Sequence, residues 1–135
     1  MSVAIKELKG VAPELATKLN EKGIKTSDQL LDAAKTASAR QELAKQLGAD
    51  KGLILELANR ADLARIKGVA GVYADLLENA GVDTVKELAV RKPDNLFNKL
   101  TEVNNTMKLT SRAPTQDMVS DWVNQAKELP KTLEY

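Results

Sequence analysis

The sequence predicts an all-α fold, and three observations carry that prediction. Hydrophobic residues make up 43% of the chain but aromatics only 3%. The core must therefore come from Leu, Ile, Val and Ala, whose spread favours helices over strands. Apolar residues recur at helical spacing between glycine, proline and hydroxyl punctuation. The third observation is a repeat. Lys9-Gly10-Val11-Ala12 returns 58 positions later as Lys67-Gly68-Val69-Ala70, and 9 of the 22 positions from Lys9 to Leu30 are identical to those from Lys67 to Leu88. Self-similarity at a fixed offset reports a duplicated architecture. The expected organisation is two units of about five helices each, over 1–62 and 63–130, with 131–135 a loose tail.

Each element follows from local signals. Ile5 and Leu8 sit three apart ahead of the first glycine, as Leu63 and Ile66 do ahead of the second, so each pair marks one helical stripe. Gly10 and Gly68 release the chain into a turn, and Pro13 suits the first position of the next helix. Leu15, Ala16 and Leu19 then form an apolar face that returns as Tyr73, Ala74 and Leu77. Gly23-Ile24 and Gly81-Val82 read as left-handed caps followed by an apolar residue that folds back. Thr26 with Gln29, and Thr84 with Glu87, match capping boxes that open the next helices.

In the first copy a further box, Ser38 with Gln41, starts a helix that turns Leu43, Ala44 and Leu47 inward and stops at Gly48. Asp50 is expected to cap the next helix, which buries Ile54, Leu57, Ala58 and Ala61. No Pro or Gly falls between Leu53 and Ile66, so this helix is expected to run unbroken into the second copy and fuse the halves. In the second copy Pro93 starts a helix with Leu96, Leu100 and Val103 on one face. The stretch from Asn104 to Pro114 reads as a long polar loop with mobility of its own. Thr115 caps the last helix, with Met118, Val119, Trp122, Val123 and Ala126 inward and Pro130 as its stop.

Composition narrows the chemistry. Twenty basic and nineteen acidic residues give a net charge of +1, too little for a global field that draws in nucleic acid or an anionic surface. There is no Cys and no His, which removes thiol and imidazole catalysis, disulfides, and thiolate or imidazole metal sites. No cofactor or metal is expected. Asp28 with Asp32, and Asp117 with Asp121, share helix faces as surface carboxylates commonly do, with no accompanying catalytic motif. The chain also lacks an apolar run long enough for a signal peptide or a membrane span, so a cytoplasmic protein without membrane partners is expected.

Helix, Gly-Val-Ala turn, helix, Gly-Ile or Gly-Val, threonine cap and Leu-rich helix together resemble the helix-hairpin-helix motif. The whole chain resembles a bacterial family of tandem helix-hairpin-helix proteins catalogued as a domain of unknown function. The segments carrying that resemblance are Ala61 to Val69, Ala80 to Leu88, Pro114-Thr115 and Asp121 to Lys127. It implies small units related to those of recombination and repair proteins. In nucleic-acid-binding relatives the turn is commonly Gly-apolar-Gly, and its backbone N–H groups hold a phosphate with help from nearby cations. Here the second glycine is Ala12 or Ala70, whose methyl crowds that approach.

The resemblance implies a non-enzymatic module that binds a nucleic-acid backbone without sequence preference. Its contacts would be Lys9, Gly10, Val11, Ala12 and Lys18 in the first copy and Lys67, Gly68, Val69 and Ala70 in the second. Between Ile5 and Thr26 five lysines face three glutamates, whereas Leu63 to Thr84 holds two basic and three acidic residues, so the first turn is the better candidate. The alternative is a protein–protein scaffold, a monomer or weak dimer that binds no nucleic acid. For that role Tyr73 and Trp122 are the candidate partner contacts, against the plainer expectation that both pack in the core.

Overall fold

The computed structural model describes residues 3–8, 10–69 and 71–134, so the expectations placed on Lys9 and Ala70 lie outside the described residues. Among the described residues the fold is all-α, with no strand beyond one isolated backbone bridge. A 3₁₀ turn, Ile5–Glu7, precedes eight α-helices: α1 (Pro13–Glu21), α2 (Ser27–Ala33), α3 (Ala37–Leu47), α4 (Lys51–Leu63), α5 (Val72–Asn79), α6 (Val85–Ala89), α7 (Pro93–Met107) and α8 (Gln116–Glu128). None is long and apolar enough to cross a membrane.

Two hydrophobic cores form in chain order. Leu19, Leu30, Ile54 and Leu57 centre the first; Leu76, Leu77, Leu88, Leu100 and Val119 centre the second. Packing order repeats between them. α2 and α3 lie on α4 in the first half, and α6 and α7 lie on α8 in the second. α4 reaches both cores, with Ala58 and Ala61 in the first and Leu63 in the second.

The glycine caps form as expected. Gly23 and Gly81 adopt φ of 82° and 90°, and the next residue returns to the helix: Ile24 N–H donates to the Leu19 carbonyl and Val82 N–H to Leu77, each at 2.9 Å. Thr26 and Gln29 make the full reciprocal box, with both bonds at 3.2 Å. At Thr84 only the forward arm reaches backbone, from Glu87 N–H at 3.3 Å; the Glu87 carboxylate accepts from the threonine hydroxyl instead.

Six expectations are corrected. The stripe of Ile5 and Leu8 makes a single 3₁₀ turn, because the preceding backbone pairs with the segment before α2. Ile5 N–H donates to the Lys25 carbonyl, Ser27 N–H to Val3, and Val3 N–H to the Ser27 hydroxyl. α3 begins at Ala37 with Thr36 as its cap, two residues before the expected Ser38, because Thr36 Oγ1 already holds the Ala39 N–H at 3.1 Å. α4 ends at Leu63, so Ile66 belongs to the following turn, and Asp50 at its start makes no side-chain cap. α7 extends to Met107 and stops where Lys108 takes a left-handed φ of 52°. The short connection beyond it is tied down: the Asn104 amide both donates to and accepts from Thr110 backbone at 3.0 Å.

The last correction concerns the segment after α8. Leu133 is 3% exposed and belongs to the first core. Buried Arg40 donates to the carbonyls of Ala34 and Lys35 at the end of α2 and to Glu134 at 2.7 Å, while Glu134 N–H donates to Lys35. Arg65 holds the Pro130 carbonyl at 2.7 Å. Residues 130–134 are thus a strap from the last helix back to the first half.

Candidate functional site

The described residues of the repeated stretches, 10–12 and 67–69, form two corners. At the first, Gly10 takes φ of 96°, a region open to glycine at no steric cost. Val11 N–H reaches back to the Leu8 carbonyl at 3.4 Å, and Ala12, in extended geometry, leads Pro13 into α1. Alanine offers no side-chain acceptor, so the first-turn amides of α1 receive no cap from it. Gly10 and Ala12 are exposed and Val11 is half-buried. A Cβ on Gly10 would stand 3.7 Å from Leu57 of α4, an ordinary contact, so what excludes a side chain there is the backbone dihedral.

The second corner has the same local form, and the last helix bonds to it. Gly68 takes φ of 93° and Val69 N–H donates to Ile66 at 3.0 Å. Gly71, at φ of 56°, stands where the first copy has Pro13, and it opens α5. Val69 is buried, while Lys67 and Gly68 are exposed. From α8, the Gln125 amide clasps Lys67: its Oε1 accepts the Lys67 N–H at 2.8 Å and its Nε2 donates to the Lys67 carbonyl at 3.1 Å. Asp121 steadies that amide through a further bond at 2.8 Å.

Trp122 Nε1 lies 3.4 Å from the position a Cβ on Gly68 would occupy. At 2% exposure Trp122 is sealed in the second core, which leaves no face to anchor a partner. Tyr73 packs tilted against it, ring centroids 5.4 Å apart, and its hydroxyl donates to the Arg112 carbonyl at 2.9 Å.

Of the cations expected around the first corner, Lys18 lies elsewhere. Lys18 reaches the far end of α1 and donates from Nζ to the Leu47 carbonyl at 3.2 Å, capping α3. It shares a cleft with Lys22, Lys45 and Glu21, where α1 and α3 both end. Two helix C-termini offset much of that positive charge. At the second corner Arg65 is committed to Asp62 and Pro130, and Lys67 is the exposed cation.

A charged cluster between α4 and α5 was not anticipated from the sequence. The Arg60 side chain is 8% exposed, and its Nη2 meets Asp75 at 3.0 Å, Glu78 at 2.7 Å and Glu56 at 3.7 Å. Its Nε and Nη1 have no hydrogen-bond partner. With Asp83 these groups line a cleft of about 530 Å³. Burial pushes the Glu78 carboxyl up to about 7. Arg60 pulls it down, and Asp83, Glu56 and Asp75 add to the rise. The repeat held one signal of this cluster: Asp75 and Glu78 replace Thr17 and Asn20 of the first copy. Nearby, buried Asp62 caps α6 from outside, its Oδ2 accepting the Val85 N–H at 2.8 Å.

These observations define a class: an all-α protein with two glycine corners, the second of them bonded by the last helix. The chain belongs to the family described as a domain of unknown function, DUF4332, whose model matches residues 9–129. No curated protein and no solved structure matches it.

Proposed function

We propose that the chain is a non-enzymatic, cytoplasmic binding module of two helix-hairpin-helix units, and that the first corner contacts a nucleic-acid phosphate backbone without reading sequence. The observation that carries this reading is the pair of exposed residues Gly10 and Ala12 running into the uncapped start of α1. Backbone amides and a helix N-terminus aimed outward are the recurring way such turns hold a phosphate. The second corner supports the protein and adds at most Lys67, because its amide at Lys67 is already bonded to Gln125.

With few cations involved, the contact is weak and salt-sensitive. Duplex DNA is expected to retain the chain at about 50 mM salt and to release it at about 200 mM, the range over which phosphate contacts lose most affinity. Lys9→Glu with Ala12→Glu is expected to abolish retention, while Lys67→Glu leaves most of it. No retention of the parent chain at the lower salt rejects the reading. A protein-interaction scaffold is the second reading, favoured by the net charge of +1.

A further inference from the structure

The strap after α8 fits its seat through very little of its own sequence. Residues 130–134 form no helix or strand, and Leu133 is the one buried residue among them. Its side chain enters the first core, although α8 belongs to the second. The bonds that hold the strap end on its main chain. Arg65 Nη2 donates to the Pro130 carbonyl and Arg40 Nη2 to the Glu134 carbonyl, each at 2.7 Å, and Glu134 N–H donates to the Lys35 carbonyl at 2.9 Å. Thr84, Val85 and Lys86 at the start of α6 line the other side of the seat.

Such a segment is held near balance. Fixing the dihedrals of residues 130–134 opposes much of what one buried leucine and a few hydrogen bonds return. Its release is therefore a low-cost local opening that leaves the helices in place. The hinge also suits release. Leu129 is extended, at φ −89° and ψ 139°, and Pro130 restricts the residue before it to that geometry. Pro130 has no N–H, so the hinge itself leaves no donor unpaired when the strap lifts. The chain thus leaves α8 straight, with no turn that binds it to its own molecule.

We propose that two copies of this chain exchange straps, each laying residues 130–134 in the other's seat and placing its Leu133 in the other's first core. The seat selects that occupant. It takes an extended backbone with an apolar side chain at one place, and the strap is the segment shown to fit it. Exchange remakes the same contacts, so a closed two-fold pair needs no new interface. Within one molecule the tether supplies the strap at an effective concentration on the order of millimolar. The chain is therefore a monomer when dilute and pairs as its own concentration approaches that value.

Sedimentation of the parent chain gives the first test: a monomer at about 10 µM and a monomer–dimer mixture at about 1 mM are expected. Cross-linking gives the second. The chain has no cysteine, so Lys35→Cys in one copy and Glu134→Cys in another, both at exposed positions, mark seat and strap uniquely. In an equal mixture at about 1 mM, a short bismaleimide is expected to join seat to strap in excess of seat–seat and strap–strap products. Adding Leu133→Asp to the Glu134→Cys copy is expected to remove most of that excess, while the Lys35→Cys copy keeps its own leucine and its fold. Neither readout involves nucleic acid, so the result is independent of the corner reading. A parent chain still monomeric at the higher concentration, no excess of the seat–strap product, or an excess that survives Leu133→Asp would each overturn the proposal.

Discussion

The two corners open with the same four residues and end in different surroundings. Gly10 backs onto Leu57 of α4, and Gly68 backs onto Trp122 of α8. α4 and α8 occupy matching places, each receiving the two helices before it. Around the first corner the backing is aliphatic and the turn stays exposed. Around the second, an indole backs the glycine and a glutamine clasps the Lys67 backbone, while Lys67 and Gly68 stay exposed. The N–H at the start of the next helix shows the same divergence: Ser27 N–H is held by Val3 backbone, and Val85 N–H by the Asp62 carboxylate. A duplicated segment keeps its local geometry because glycine dihedrals and caps are local. Whether the turn remains available to a ligand depends on residues outside the repeat.

The comparison can be broken at Trp122. Trp122→Ala is expected to cost about 3–5 kcal/mol, the range for emptying a large aromatic site in a core, as read by chemical denaturation. Leu57→Ala, its counterpart behind the first corner, is expected to cost less, about 2–4 kcal/mol. Equal losses would mean that the indole adds nothing beyond an aliphatic backing.

The strap distinguishes the halves in the opposite sense, because it braces the first from the end of the second. Leu133→Ala is expected to cost about 2 kcal/mol, at the low end for a buried leucine since the site lies near a chain end. Faster amide exchange around Ala34 and Lys35 would accompany it, and unchanged exchange there would show that the strap does not support α2.

The Arg60 cluster joins α4 to α5 and should give the fold a pH dependence. Glu78 has its folded value raised from 4.5 to about 7. Between those values the folded chain keeps a proton that the unfolded chain has released, so stability is greater at the acid end and falls as pH rises to about 7. The loss is on the order of 3 kcal/mol. Glu78→Gln, uncharged throughout, is expected to flatten this slope. A slope that persists in the variant would assign it to another group.

The smallest effect is expected at the clasp. Gln125→Ala removes two bonds to Lys67, and because that corner is exposed to water the cost should be about 1 kcal/mol. It also frees the Lys67 N–H. If the second corner is kept from phosphate only by this clasp, DNA retention should rise in the variant. No change would show that the clasp is not what keeps phosphate from this corner.

Helix starts and stops were legible in the chain wherever one residue's own chemistry decides them. Gly23, Gly48 and Gly81 stop helices as left-handed residues, Pro13 and Pro93 open them, and Thr26 and Thr115 cap them, all through interactions within a few positions. Where two local options competed, proximity misled: Ser38 matched the capping box, yet Thr36 two residues earlier took the role. The site was less legible than the fold. Lys18 lies one turn into the helix after the first corner, and only the arrival of the α3 terminus, whose Leu47 carbonyl accepts from it, shows that it points elsewhere.

The sequence by itself determined an all-α chain, a duplicated glycine corner, the positions of most caps and the apolar residues that fill each core. Those depend on dihedral preference and helical periodicity, which neighbouring residues settle. Tertiary structure alone decided that Gln125 clasps the Lys67 backbone from 58 residues away, that Arg40 and Leu133 bind the final segment to the first half, and that Arg60 sits buried among carboxylates. Contacts of that kind join residues with no shared period or spacing, and they exist only once the helices have packed.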